Sequence, residues 1–163
     1  MSSQIDPTKP PQGEALTIDV RQNFQHAKDE IEALQVIGTY VNNSVAPGAR
    51  ITLTNQTRVD LVTMDLGIGD WDIVGASYFQ STTQSSNMEV RSWINTVAVT
   101  EPDGTNGGLA TNSTASAGMT TSLTLPPTRL SVSTTTTVYL GVYADADQGT
   151  VTAHGFMAAR RMG

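Results

Sequence analysis

Four small sets of side chains in this sequence are of types that could carry chemistry: His26 and His154, Asp70 with Asp72, Asp145 with Asp147, and the terminal pair Arg160 and Arg161. A hydrolytic site needs a base beside a nucleophile and a third group that orients the base. Neither histidine sits in such a pattern, and the chain has no G-x-S-x-G elbow, phosphate-binding loop or H-E-x-x-H. His26 falls among polar neighbours and reads as solvated, whereas His154 alternates with apolar residues and reads as a barrel or interface histidine. The aspartate pairs have the spacing from which oxygen-ligand calcium sites are made, but the other ligands of a known loop do not follow either pair. Asp145-Ala-Asp-Gln-Gly149 is equally well a turn. Asp70 and Asp72 flank Trp71 and point to solvent if Trp71 is core, and as a glycoside-cleaving acid and base they would need a separation that spacing alone does not fix. With no cysteine there is neither disulfide nor thiolate site. The expectation is a protein without catalytic residues, metal site or cofactor, and not an enzyme.

Charge narrows the partners. The formal net charge is -6, and no block of Lys or Arg interrupts the acidic groups spread from Asp6 to Asp147. Affinity for nucleic acid comes mainly from clustered cations, so no nucleic-acid partner is expected, and Arg160-Arg161 reads as a solvated edge or a subunit contact. No stretch approaches the ~18 apolar residues of a membrane helix, and Met1 to Gly13 lacks the apolar run of a signal peptide. The expectation is no membrane partner and synthesis in a cytoplasm. The N-x-Ser/Thr triplets at Asn42, Asn55 and Asn112 then read as chance matches in a Thr-rich chain.

The elements that must position these residues fall into three parts. Residues 1–16 contain Pro7, Pro10, Pro11 and Gly13, which resist helix and suit an extended arm; a disordered tail fits the same composition. Residues 17–38 carry a helical pattern. Thr17 is placed to cap it, Asp19 meets the positive end of its dipole, and Gly38 ends it. Val20, Phe24, Ala27, Ile31 and Leu34 are spaced four, three, four, three, a coiled-coil heptad seam with polar residues between. So narrow a stripe needs cover, either from copies of itself, which is the preferred reading, or from the domain that follows.

From 39 to 163 the period becomes two, with strands expected at 50–54, 58–66, 70–81, 88–99, 119–125, 129–133, 136–144 and 150–162. Trp71, Ile73, Gly75, Ser77 and Phe79 share one face; Val138, Leu140 and Val142 oppose Tyr139, Gly141 and Tyr143. Turn residues separate the runs, including Gly67-Ile-Gly69-Asp70 and the Pro126-Pro127 pair. About eight short strands with such punctuation give a mainly β chain whose head domain is a jelly-roll-like β-sandwich, with an immunoglobulin-like sandwich as the alternative. Residues 101–118 form the longest stretch without a strand pattern, a candidate ligand loop with Asp103, Asn106 and Asn112 as its polar contacts.

Two sets of motifs carry a resemblance. Thr17-Ile-Asp-Val-Arg-Gln-Asn-Phe24 with Glu30-Ile-Glu-Ala-Leu34, behind a Pro-rich arm, resembles the opening of tailed-bacteriophage virion proteins. Asp70-Trp-Asp-Ile-Val-Gly75, Thr136-Thr-Val-Tyr-Leu140 and Val151-Thr-Ala-His-Gly-Phe-Met-Ala-Ala-Arg-Arg161 resemble the β domain that closes phage decoration, head-fibre and tail-fibre proteins. The resemblance implies a homotrimer on the virion, anchored to the major capsid protein through Pro7, Pro10, Pro11 and Gly13, closed at Val20, Phe24, Ala27, Ile31 and Leu34, with the β domain outward. No long shaft separates helix from head, which favours a capsid decoration or short head fibre. The alternative is the receptor-binding tip of a tail fibre, a glycan-binding adhesin whose partner is a host surface glycan.

Overall fold

A computed structural model of the chain describes residues 17–83, 88–102, 109–115 and 120–162. The chain divides into two compact units, Met1–Thr39 and Tyr40–Met162.

In the first unit the described element is a helix, α1 (Thr17–Val36). Its polar face is laced by i,i+4 pairs: Gln25 Nε2 donates to Asp29 Oδ1 at 2.7 Å, and Lys28 Nζ lies 3.6 Å from Glu32 Oε1. Gly38, at φ 85°, supplies the left-handed turn that stops it. On the seam, Phe24 is 72% exposed and Ile31 56% exposed, while Val20 and Ala27 are half-buried. The Leu34 side chain and the anchoring residues Pro7, Pro10, Pro11 and Gly13 lie outside the described residues.

The second unit is a sandwich of two antiparallel sheets. Its strands are β1 (Tyr40–Val45), β2 (Ile51–Leu53), β3 (Thr57–Leu66), β4 (Gly69–Ser81), β5 (Met88–Asn95), β6 (Leu109–Ala115), β7 (Thr120–Val132), β8 (Thr136–Ala146) and β9 (Val151–Arg161). The first sheet runs β1-β9-β4-β7, with β2 also on β9; the second runs β3-β8-β5-β6. A 3-10 turn at Pro47–Ala49 divides one edge into β1 and β2, which pair with successive parts of β9. Counted as one strand, they give eight strands that pass from one sheet to the other at every connection except β5 to β6, the double Greek key of a jelly roll.

Period-two burial explains the pairing of the sheets. From the first sheet Trp71, Ile73, Phe79, Leu123, Leu125 and Met157 face inward; from the second Val90, Ile94, Val138, Leu140 and Val142 face them. Fully burying one such side chain stabilises by about 1.5–3 kcal/mol. Gly75 leaves room for Leu140 and Ile94, whose Cδ1 atoms approach to 3.4 and 3.6 Å of where a Cβ would stand. The face of Val138, Leu140 and Val142 is therefore the core face.

Several expected boundaries are corrected. β1 (Tyr-Val-Asn-Asn-Ser-Val) escapes a periodicity search because only Val41 and Val45 face toward the core, and edge position supplies the rest of its pairing. Part of the segment expected as a loop, 101–118, forms the edge strand β6, whose Leu-Ala-Thr-Asn-Ser-Thr-Ala is too polar to announce itself. Pro126-Pro127 does not break a strand: β7 runs through the pair as a bulge, its register on β4 slipping between Ile73 and Gly75. That is where proline is tolerated, since β7 is an edge strand. β5 ends at Asn95, four residues before the expected Val99.

Candidate interaction surfaces

Three surfaces present themselves once the strands are in place. The helix seam is the first: Phe24 and Ile31, one heptad apart, are exposed, while Val20 and Ala27 are half-buried. Set between polar residues, the four form a stripe suited to another helix.

The second surface is the outer face of the first sheet. Residues alternating with the core on β4 and β9 project there, and the register sets Ala76 against Phe156 and Tyr78 against His154. Ala76 and Ala158 are buried, although they face away from the core, while Val74, Tyr78 and Phe156 around them remain partly exposed. Tyr78 and His154 stack with ring centroids 4.9 Å apart. Arg50, just ahead of β2, donates from Nε to His154 Nδ1 at 3.4 Å and from Nη1 to Gln80 Oε1. Burial, and then the nearby Arg50 charge, hold His154 below its ordinary pKa of 6.5, so the neutral ring is favoured. The patch has an apolar centre and a hydrogen-bonding rim, the anatomy of a recognition surface.

The third surface is the outer face of the second sheet. Glu101 bridges Arg58 and Arg91, with Oε2 at 3.2 Å from a guanidinium nitrogen of each. Arg91 also pairs with Glu89 and lies 5.1 Å over the Tyr143 ring. The bond to Glu89, followed by the charge of Glu101, raises the Arg91 pKa above its already high value. Trp93 occupies the same face yet is 0% exposed, and it rests on Gly141, where any Cβ would collide with the indole.

The residues singled out by chemistry are dispersed. Asp70 opens β4 and accepts from Ser131 Oγ, with Arg129 Nη2 at 3.6 Å; the serine bond and then the arginine charge lower its pKa from 3.8. Asp145 closes β8 at the opposite end of the sandwich and accepts from Gln56 Nε2 at 3.1 Å. The two aspartate pairs are thus in different sheets and at opposite strand ends. Among the described residues no group of three His, Asp or Glu side chains could hold a metal ion. Trp71 is core, and Asp70 and Asp72 point away from it as alternation requires. His26 is half-buried on α1. Asn112 lies in β6 opposite Arg91, a strand position rather than a loop tip; Asp103 and Asn106 are outside the described residues. A polar groove of about 350 Å³ runs between β1 and β3, lined by Val41, Asn42, Asn43, Thr63, Met64 and Asp65.

The Arg50–Gln80–His154–Tyr78 cluster and the Arg58–Glu101–Arg91 clasp were hidden because register, not sequence proximity, assembles them. A signal for the buried Trp93 existed: Gly141, between Leu140 and Val142 in a strand, marks a place where a large neighbour crosses.

No protein-family model matches the chain, and no curated protein matches it significantly. Solved structures do. A chain in the structure of infectious bursal disease virus Gx strain aligns over 77% of this chain and 32% of its own length, with 18% identity and a TM-score of 0.52. The infectious bursal disease virus VP2 subviral particle aligns over 77% of this chain and 31% of its own, with 14% identity and a TM-score of 0.47. A Bacillus endospore appendage, from a family of disulfide-linked pili, aligns over 77% and 91% with 12% identity and a TM-score of 0.37. The present chain thus spans about a third of the length of the first two. The first of these likenesses agrees with the strand order in giving a viral-type jelly-roll fold.

Proposed function

We propose that the chain is a non-enzymatic structural protein of a virus particle, and specifically a trimeric capsid decoration or short head fibre of a tailed bacteriophage. The observation that carries this reading is the joining, in one chain, of a jelly-roll sandwich to a helix whose heptad seam stands open at Phe24 and Ile31. A solved structure of similar fold belongs to a virus, which supports a place in the virion. In this reading three copies of α1 close on Val20, Phe24, Ala27, Ile31 and Leu34, and the arm with Pro7, Pro10, Pro11 and Gly13 lies on the major capsid protein. The β domains then point outward from the capsid surface. Three weak contacts held together multiply into a firm one.

Deleting residues 1–16 tests the anchor. The truncated chain should lose binding to particles while keeping its association state in sedimentation; unchanged binding refutes the assignment of the arm.

The exposed aromatic patch of Tyr78, His154 and Phe156 favours a second reading, a glycan-binding adhesin at a tail tip. Antibody labelling of intact particles separates the two: many sites over the head support decoration, and a few at the tail support the adhesin.

A further inference from the structure

The segment that leaves β5, Thr96–Glu101, crosses the outer face of the second sheet and is pinned at three successive levels. Register defines them. Asn95 lies opposite Tyr139, Trp93 and Asp60 both lie opposite Gly141, and Arg91 and Arg58 both lie opposite Tyr143. At the first level Asn95 accepts from Thr96 N at 2.7 Å and donates from Nδ2 to Thr100 O at 2.9 Å. At the second, Val99 N donates to both carboxylate oxygens of Asp60, at 2.9 and 3.0 Å. At the third, Glu101 joins Arg58 to Arg91. Trp93 sits in the middle level, between the pins.

Three features set this strap apart from an ordinary loop. Val99 has φ 52°, a left-handed conformation that a β-branched residue adopts only when its surroundings impose it. The strap buries none of Thr96, Val97, Ala98 or Val99, and the two valines are 48% and 50% exposed. With none of its own apolar side chains buried at these four positions, polar contacts pin it at each level. At the middle level Trp93 is fully buried on the outer face of the sheet, and its Nε1 finds no partner among the described residues. A core tryptophan ordinarily satisfies that donor, as Trp71 does on Gly67 O at 2.8 Å.

We propose that Thr96–Glu101 is a strained latch over Trp93, which opens as a unit while the sandwich stays folded and uncovers an aromatic surface flanked by Arg91 and Tyr143. Closure costs the Val99 backbone and an unpartnered indole N–H; the Asp60 and Glu101 contacts, together with the apolar burial of the Trp93 ring, offset those costs. Opening releases both, so the two states lie close, which is the condition for a switchable element.

The full chain tests this by amide hydrogen exchange together with acrylamide quenching of tryptophan, Trp71 serving as the buried reference. Asp60→Ala should speed exchange across 96–101 by at least about tenfold, the loss of a hydrogen bond to a charged acceptor, and should make one of the two tryptophans quenchable. Val99→Gly removes the left-handed penalty and should slow exchange in the same segment several-fold. In both variants the β4 amides should stay as protected as in the parent. The latch is refuted if strap amides exchange only together with those of β4, or if Val99→Gly speeds exchange or leaves it unchanged.

Discussion

Gly141 and His154 show how single residues record what the sheets bring over them. Gly141 faces outward on β8 with the Trp93 indole lying where a side chain would begin. Gly141→Ala should therefore cost about 2–3 kcal/mol in urea unfolding, the cost of overpacking a filled site; a wild-type midpoint would show that the indole does not rest there. His154 gives a pH signature. Its folded pKa lies below the ordinary 6.5, because burial and Arg50 disfavour the cation. The unfolded chain then binds the proton more readily, so the contribution is intact above 6.5 and declines as pH falls through the folded value. Melting curves between pH 7 and pH 5 should show His154→Gln losing less stability than the parent over that window. Equal losses would mean that His154 does not titrate under strain. Asp70, held down by Ser131 and Arg129, acts in the same sense at more acid pH, below its ordinary 3.8.

At the level of elements, the helix and most of the strands were legible because their patterns are local. The four-three spacing of Val20, Phe24, Ala27 and Ile31 lies on α1, and Trp71, Ile73 and Phe79 alternate into the core on β4. What stayed hidden depends on partners distant in sequence. β1 and β6 are strands by virtue of β9 and β5 beside them, and Pro126-Pro127 is a bulge because β4 continues past it. The outer-face clusters were illegible for the same reason: Arg50, Tyr78, Gln80 and His154 come from separate parts of the chain and meet through register. Trp93, next to the core residue Ile94, is buried on the opposite face of β5, a placement that only the neighbouring strands determine. The open seam of α1 makes a prediction at this scale. Phe24→Asp would place a charge in each copy's contact and should weaken self-association by roughly 100-fold or more, read as a shift in the sedimentation profile with dilution. The far-ultraviolet strand signal should not change, because the sandwich core is built without Phe24.

For the whole molecule, a sandwich with its own core is joined to a helix on which Phe24 and Ile31 are exposed. The jelly roll buries most of its core apolar residues between its two sheets. The helix, twenty residues with few apolar groups, gains little from folding alone and most from company. In the proposed trimer the helices of three copies would supply that company, and each copy would bring its β domain with the Tyr78–His154–Phe156 patch. Sedimentation equilibrium of the full chain across a wide concentration range is the most direct measurement of this account. It predicts a species of three times the 17.3 kDa chain mass, persisting on dilution to micromolar concentration; a folded species of a single chain mass at every concentration would contradict it.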